Sequence, residues 1–428
     1  MYTSNKILRF SAIALAAALI FFTPVNSRAA EGRLGNYSLL SGHGGYNTVG
    51  KGVLRLAGYA AGNCGNCHEQ HASVGGTPTA PFGSLLFDTL TGNALCNFCH
   101  DSTQSNGADN IVQQISKGYS HDPASTITTV LCVDCHDSHE ATRVTHSEAV
   151  DGNAVSGALA GVSGTDPVWI NPAAPTEGGE SINNPTSLTP VDPATLEYQI
   201  CLKCHGGQFV TEGLADIGRQ FNPNFAATHP VTTSAWKNTF LVNNAATAMK
   251  APWQTADTQM YCSDCHAGET TLEPVGPHGS ANIYLLREVI SGASPDNLCE
   301  TCHNVSPTNG GASNWVSENA ALGYPPNRDH DYGPHQYPAN ALGCVACHGG
   351  VGDASLESSI HGANYRGNVN NAGTDVGRRS RTFLFNSSLI TKIYYTDNSN
   401  GEAADDVQGN RYCAATCHTT DGGIGHRF

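Results

Sequence analysis

Charge is scarce in this sequence. Only 13% of its 428 residues are Asp, Glu, Lys or Arg, and the 21 basic residues are outnumbered by 36 acidic ones. The resulting formal charge of −15 repels nucleic acid and anionic lipid and leaves cationic partners or metal ions as the compatible ones. Long apolar runs are scarce too. The one candidate is Phe10–Phe22, which follows Lys6 and Arg9 and precedes the small residues Ser27 and Ala29. Too short for a membrane span, it has the layout of a signal peptide over residues 1–29. Its removal would take Lys6, Arg9 and Arg28 with it and leave a charge of −18. No cysteine lies near the cleavage position, which argues against a lipid anchor. No later stretch is apolar enough to span a bilayer, so the mature chain is expected outside the cytoplasm without a transmembrane segment. Methionine is scarcest of all, with 3 in the whole chain, and that scarcity matters below.

Cysteine is not scarce. There are 16, and in an exported chain an even number first suggests disulfides. Their spacing points elsewhere. They fall into eight pairs, and each second cysteine is followed by histidine: Cys64/Cys67, Cys96/Cys99, Cys132/Cys135, Cys201/Cys204, Cys262/Cys265, Cys299/Cys302, Cys344/Cys347 and Cys413/Cys417. Seven pairs are C-x-x-C-H, the attachment signature of c-type haem. The eighth, "CAATCH", has one extra residue. Two thiols spaced this way match the two vinyl groups of a porphyrin, and the next residue lies beneath the iron. His68, His100, His136, His205, His266, His303, His348 and His418 are therefore the expected proximal ligands. Zinc sites need thiolate pairs but no histidine after each one. The expected cofactor set is eight haem c, with iron as the metal.

Eleven other histidines could supply the distal positions. Methionine is the usual alternative, but after processing only Met249 and Met260 remain. Most haems should then be bis-histidine and low-spin, with no open coordination position. The first cysteines of successive motifs are separated by 32, 36, 69, 61, 37, 45 and 69 residues. Divided after the fourth motif, the two halves read alike, and their text is similar around several histidines. Matching the halves ranks eight as distal: His43, His71, His121, His146, His229, His278, His330 and His361. His139, His335 and His426 find no counterpart. His71 and His139 follow a proximal histidine by three residues, so either one could serve only a neighbouring haem, and His139 rivals His146.

The fold expected is mostly irregular and loop-rich, with short α-helices at the motifs and few strands. It is organised around eight covalently bound haems in two duplicated tetrahaem units, residues 30–225 and 226–428. The alternating stretch near Phe383 reads as a hairpin turning at Asn386–Ser388. The 69-residue gap ahead of both Cys201 and Cys413 makes "CAATCH" a live fourth site with a local insertion.

With these motifs placed, the chain resembles the exported multihaem c-type cytochromes of metal-reducing bacteria, in the group with doubled C-x-x-C-H motifs. "CGNCHEQHAS" and "GPHGSANIYLLR" carry the likeness beyond the haem motif itself. The resemblance implies an electron conduit in extracellular or periplasmic respiration, the exterior preferred. Iron oxides, other metals, electrodes or partner cytochromes would be its acceptors. It also implies polymerisation into a haem wire, with His43 and His426 near the two ends of the mature chain as ligands between subunits. The rival class is an octahaem nitrite, hydroxylamine or tetrathionate reductase with one open haem. Several of those use C-x-x-C-K, whereas all eight motifs here end in histidine, so an electron carrier is favoured over a catalyst.

Overall fold

The computed structural model describes residues 41–44, 52–54, 60–68, 73–74, 77–78, 93–101, 108–121, 130–142, 152–169, 187–207, 217–225, 227–236, 242, 245–246, 249–269, 276–289, 297–303, 361–363, 390–396 and 410–415. These form short helical turns and two-stranded ladders joined by irregular connections, compatible with the loop-rich class expected. The α-helices are α1 (Ala94–Asn97), α2 (Ile111–Ile115), α3 (Cys132–Cys135), α4 (Glu197–His205) and α5 (Asn297–Cys302). Further 3-10 turns include Cys64–Asn66, Gly218–Phe221 and Cys262–Asp264.

Helices this short gain little from propagation and depend on their caps and on tertiary contacts. Several caps come from side chains beside or inside the cysteine motifs. Asn63 accepts from the Gly65 amide at 2.8 Å. Asp134 accepts from the Leu131 amide at 2.8 Å, Asp264 from the Tyr261 amide at 2.7 Å, and Gln199 from the Leu196 amide at 3.1 Å. The last three are the return half of a capping box, in which an acceptor at the third helical position satisfies the amide ahead of the first turn.

Five antiparallel ladders are described. β1 (Ser73–Val74) pairs with β2 (Thr77–Pro78), and β3 (Tyr119–Ser120) with β7 (Gly279–Ser280). β4 (Gly164–Val168) pairs with β5 (Ser187–Val191), and β6 (Ala227–Thr228) with β8 (Gly362–Ala363). The fifth ladder bears on the expected hairpin. β9 (Ile390–Thr396) pairs with β10 (Asn410–Ala415), which sets Cys413 opposite Ile393. The alternating stretch thus supplies a strand, and its partner among the described residues is the later segment that carries the eighth motif's first cysteine. The expected turn at 386–388 lies outside the described residues.

The largest apolar cluster gathers Tyr198, Leu202, Phe221, Val231, Met249, Trp253 and Met260. It draws residues from both sides of position 225, the boundary expected between the two units. Full burial of each such side chain stabilises by about 2 kcal/mol. α4 lies against β4, where the Tyr198 hydroxyl donates to Asp166 at 3.1 Å. A smaller cluster of Val162, Ala194 and Ile200 lies beneath Cys135.

Candidate functional site

Each described cysteine motif closes one helical turn. The histidine amide donates to the carbonyl of the first cysteine at 2.8 Å for His68 and His136, 3.0 Å for His100 and His266, and 2.9 Å for His303. His205 lies in the last turn of α4. This turn puts both thiols and the imidazole on one face. Cys64, Cys67, Cys96, Cys99, Cys132, Cys135, Cys201, Cys204, Cys262, Cys265, Cys299 and Cys302 all carry free thiols. Cys413 is described only through its backbone in β10. Cys344, Cys347 and Cys417 lie outside the described residues, with His71, His146, His330, His335, His348, His418 and His426.

The six described proximal histidines each face a different histidine from elsewhere in the chain. The ring centroids are 6.0 Å apart for His68 and His139, 6.1 Å for His100 and His43, and 5.9 Å for His136 and His278. They are 6.2 Å apart for His205 and His121, 6.0 Å for His266 and His361, and 6.5 Å for His303 and His229. Two metal–nitrogen bonds of about 2 Å, with the half-rings beyond them, span about 6 Å. The planes are nearly parallel in the His68–His139 and His136–His278 pairs, at 8° and 19°, and nearly perpendicular in His43–His100, at 89°. The partners alternate along the chain. The first, third and fifth motifs face a histidine further on, and the second, fourth and sixth face one already passed.

The ring nitrogens suit a metal between them. Backbone carbonyls engage Nδ1 of His43 (Ser138, 3.2 Å), His100 (Asp109, 3.1 Å), His121 (Pro277, 2.6 Å), His136 (Ala158, 2.8 Å) and His266 (Tyr284, 2.9 Å). A carbonyl can only accept, so Nδ1 carries the proton and Nε2 keeps its lone pair. Burial lowers the proton affinity of His205, His278 and His303 to about 4, and that of His361 to about 3. It also lowers those of His43, His136 and His266. Neutral imidazoles are what iron requires. Free thiols, open Nε2 atoms and ring separations together fit covalently held haem.

Successive motifs are fastened to one another. Asn93, ahead of α1, accepts from the Cys132 amide at 2.7 Å. Lys203, between the cysteines of the fourth motif, donates to the Asp134 carbonyl at 2.6 Å. Glu197 at the start of α4 accepts from the Ser263 amide and hydroxyl, both at 2.9 Å, inside the fifth motif. The Arg287 amide donates to Cys265 O at 2.9 Å, and the Lys250 amide to Cys302 O at 2.8 Å. The thiols meet as well. A bond with Cys132 brings Cys96 down to about 7, and one with Cys262 raises Cys201. Burial pushes Cys135 and Cys265 up to about 12, and the neighbouring Cys201 and Cys302 add to this. Glu197, Cys201 and Cys262 converge closely enough to hold a metal ion. Both sulfurs, however, belong to attachment motifs, so the carboxylate is better read as a buried charge between two haem sites.

Two placements bear on the sequence reading. His139, left without a counterpart when the halves are matched, faces His68. Its place three residues after His136 was the available signal, since a histidine there can serve only a neighbouring site. His43, ranked as a distal ligand and also the residue that the resemblance offers for a link between subunits, faces His100 of its own chain. Met249 and Met260 are both buried in the apolar cluster. Among known families, residues 253–307, which contain the fifth and sixth motifs, match the one described as the doubled CXXCH motif. No curated protein and no solved structure matches the chain. The family match and the attachment motifs support a multihaem cytochrome of the c type, which binds haem covalently and takes part in electron transfer.

Proposed function

We propose that the chain is an electron conduit of bis-histidine haems rather than a catalyst. The observation that carries this is the one-to-one facing of proximal and second histidines at about 6 Å, the span of two metal–nitrogen bonds and their half-rings. On this reading His139, His43, His278, His121, His361 and His229 are the distal ligands of motifs one to six in that order. Bound haem supplies the one-electron iron couple. The chain's residues fix where each couple sits: cysteines tether the porphyrin edge, two imidazoles hold the axis, and carbonyls hold the Nδ1 protons.

The fastenings between motifs support an order. The second meets the third through Asn93 and Cys96–Cys132, the third meets the fourth through Lys203, and the fourth meets the fifth through Glu197 and Cys201–Cys262. The fifth and sixth share the packing of Cys265 and Cys302. His139 brings the first motif beside the third. Tethers this close bring porphyrin edges near one another, which is the requirement for stepwise tunnelling.

The same proposal extends to eight haems, the last two at Cys344/Cys347 and Cys413/Cys417. It places the chain outside the cytoplasm, passing electrons to metal oxides, electrodes or partner cytochromes. Subunits would join end to end into a wire. Haem counting by pyridine haemochrome, with electron paramagnetic resonance, tests it. The expected result is eight haems, all low-spin. A substantial high-spin signal that shifts with nitrite or hydroxylamine would overturn it in favour of a reductase with one open haem.

A further inference from the structure

Two distant parts of the chain build the same small device. In one, β6 and β8 run into His229 and His361. The His229 amide donates to His361 O at 2.9 Å, and Thr228 aligns with Gly362. In the other, β3 and β7 run into His121 and His278. The His121 amide donates to His278 O at 3.2 Å, and Ser120 aligns with Gly279. Each ladder ends in two histidines side by side, and each of the four faces a proximal histidine of a different motif.

A glutamine lies over each ladder at the same point. The Gln220 backbone carbonyl closes over Gly362, where a Cβ would come within 2.3 Å of its oxygen. The Gln114 carbonyl closes over Gly279, where a Cβ would come within 1.9 Å. Both glycines directly follow the second histidine of their ladder. The Gln220 amide oxygen lies 2.8 Å from Nδ1 of His361. Gln114 is 2% exposed. Its Oε1 and the Nδ1 of His278 are both buried without a hydrogen-bond partner. The atoms joined in one device are thus the two left unmatched in the other. Buried polar groups without partners are rare and costly.

We propose that Gln220 and Gln114 are equivalent positioning residues, each accepting the Nδ1 proton of an axial histidine, His361 and His278, in the haem-loaded protein. This rests on the axial pairing above. Ligation fixes the sense of the bond. Were the amide to donate to Nδ1 instead, the proton would sit on Nε2, where the iron must bind. A hydrogen bond accepted from Nδ1–H makes the imidazole more basic and holds its plane. More basic ligands favour ferric iron, so both amides hold their haems at lower potential.

The haem-loaded full chain tests this with Gln220→Leu, Gln114→Leu and the matching Glu variants, read by potentiometric titration and electron paramagnetic resonance. Each Leu variant should raise the midpoint of one haem and move one low-spin signal, and the two variants should move different signals. Each Glu variant should shift its midpoint downward, because a carboxylate is the stronger acceptor. If a Leu variant fails to load haem, its Glu variant decides by that downward shift. Gln114 variants that move nothing while Gln220 variants do would overturn the equivalence, and silence from both would overturn the proposal. In either case the axial pairing would stand as long as the wild-type spectrum is low-spin. A high-spin wild-type spectrum would remove the pairing and the glutamine role together.

Discussion

The two histidine ladders share a backbone plan but are secured differently. β6–β8 rests on the main apolar cluster. Phe221 packs its ring 4.8 Å from His361 and is itself buried among Tyr198, Leu202 and Trp253. β3–β7 has no comparable apolar bed among the described residues. Beside the buried Leu285 and Leu286 it has polar contacts: Lys117 forms an ion pair with Glu269, which also accepts from the Ala281 amide. The Ser280 hydroxyl donates to Leu286 O at 2.7 Å. One ladder is held by burial and the other by hydrogen bonds around a glycine with no spare space. The comparison separates what the histidine geometry needs from what the surroundings happen to provide. It needs an antiparallel pair of strands with a glycine after the second histidine, and either kind of support serves.

Substitutions at those glycines should have the largest effect. Gly279→Val drives a side chain into the Gln114 carbonyl, and Gly362→Val does the same at Gln220. Overpacking of this kind costs about 1–3 kcal/mol and occasionally more. Each variant should lose low-spin signal from two haems at once, with Gly279→Val the worse of the two. Equal mild effects would mean that the ladders yield easily. Next come the histidines. His278→Ala should turn the haem at Cys132/Cys135 high-spin and open to carbon monoxide, and His361→Ala should do so for the haem at Cys262/Cys265. One new high-spin signal per variant is expected, and no change from His278→Ala would break the equivalence of the ladders.

Glu197→Gln acts between two haem sites rather than on a ladder. Removal of that buried carboxylate should raise the potentials of the haems at Cys201/Cys204 and Cys262/Cys265 by roughly 60 mV, a tenfold shift of a one-electron equilibrium. Spectroelectrochemistry would show this with the axial spectra unchanged. Lys117→Met should matter least. Partly exposed ion pairs contribute about 0–1 kcal/mol, so thermal melting should move by a degree or two, and only if the β3–β7 side depends on its polar contacts.

How much of this was legible in the sequence depends on how far the chain must travel to make a contact. The attachment turns were legible, because five contiguous residues and a nearby cap suffice to form them. The second histidines were harder. Matching the two halves of the text set His71 beside His278, and His121 beside His330. The ladders instead relate His121 to His229 and His278 to His361. Two-residue strands such as Tyr119–Ser120 against Gly279–Ser280 carry no periodic pattern to read, and their pairing is decided by tertiary packing. Gln114 and Gln220 were invisible for the same reason. One lies 7 residues before its ladder's first histidine and the other 9, with no shared text around them.

The alternation of partners has a consequence in time. A chain made from its N-terminus presents His43 before His100, His121 before His205 and His229 before His303. Even-numbered motifs would therefore find their second imidazole already waiting when the haem is attached. Odd-numbered motifs would not: His68, His136 and His266 precede His139, His278 and His361. Under the proposed pairing, a chain loaded with haem from its N-terminus would leave His68, His136 and His266 without their partner imidazoles until later residues followed. His136 waits longest, until His278 emerges far downstream. Among the described pairs, His136–His278 is the one that crosses position 225.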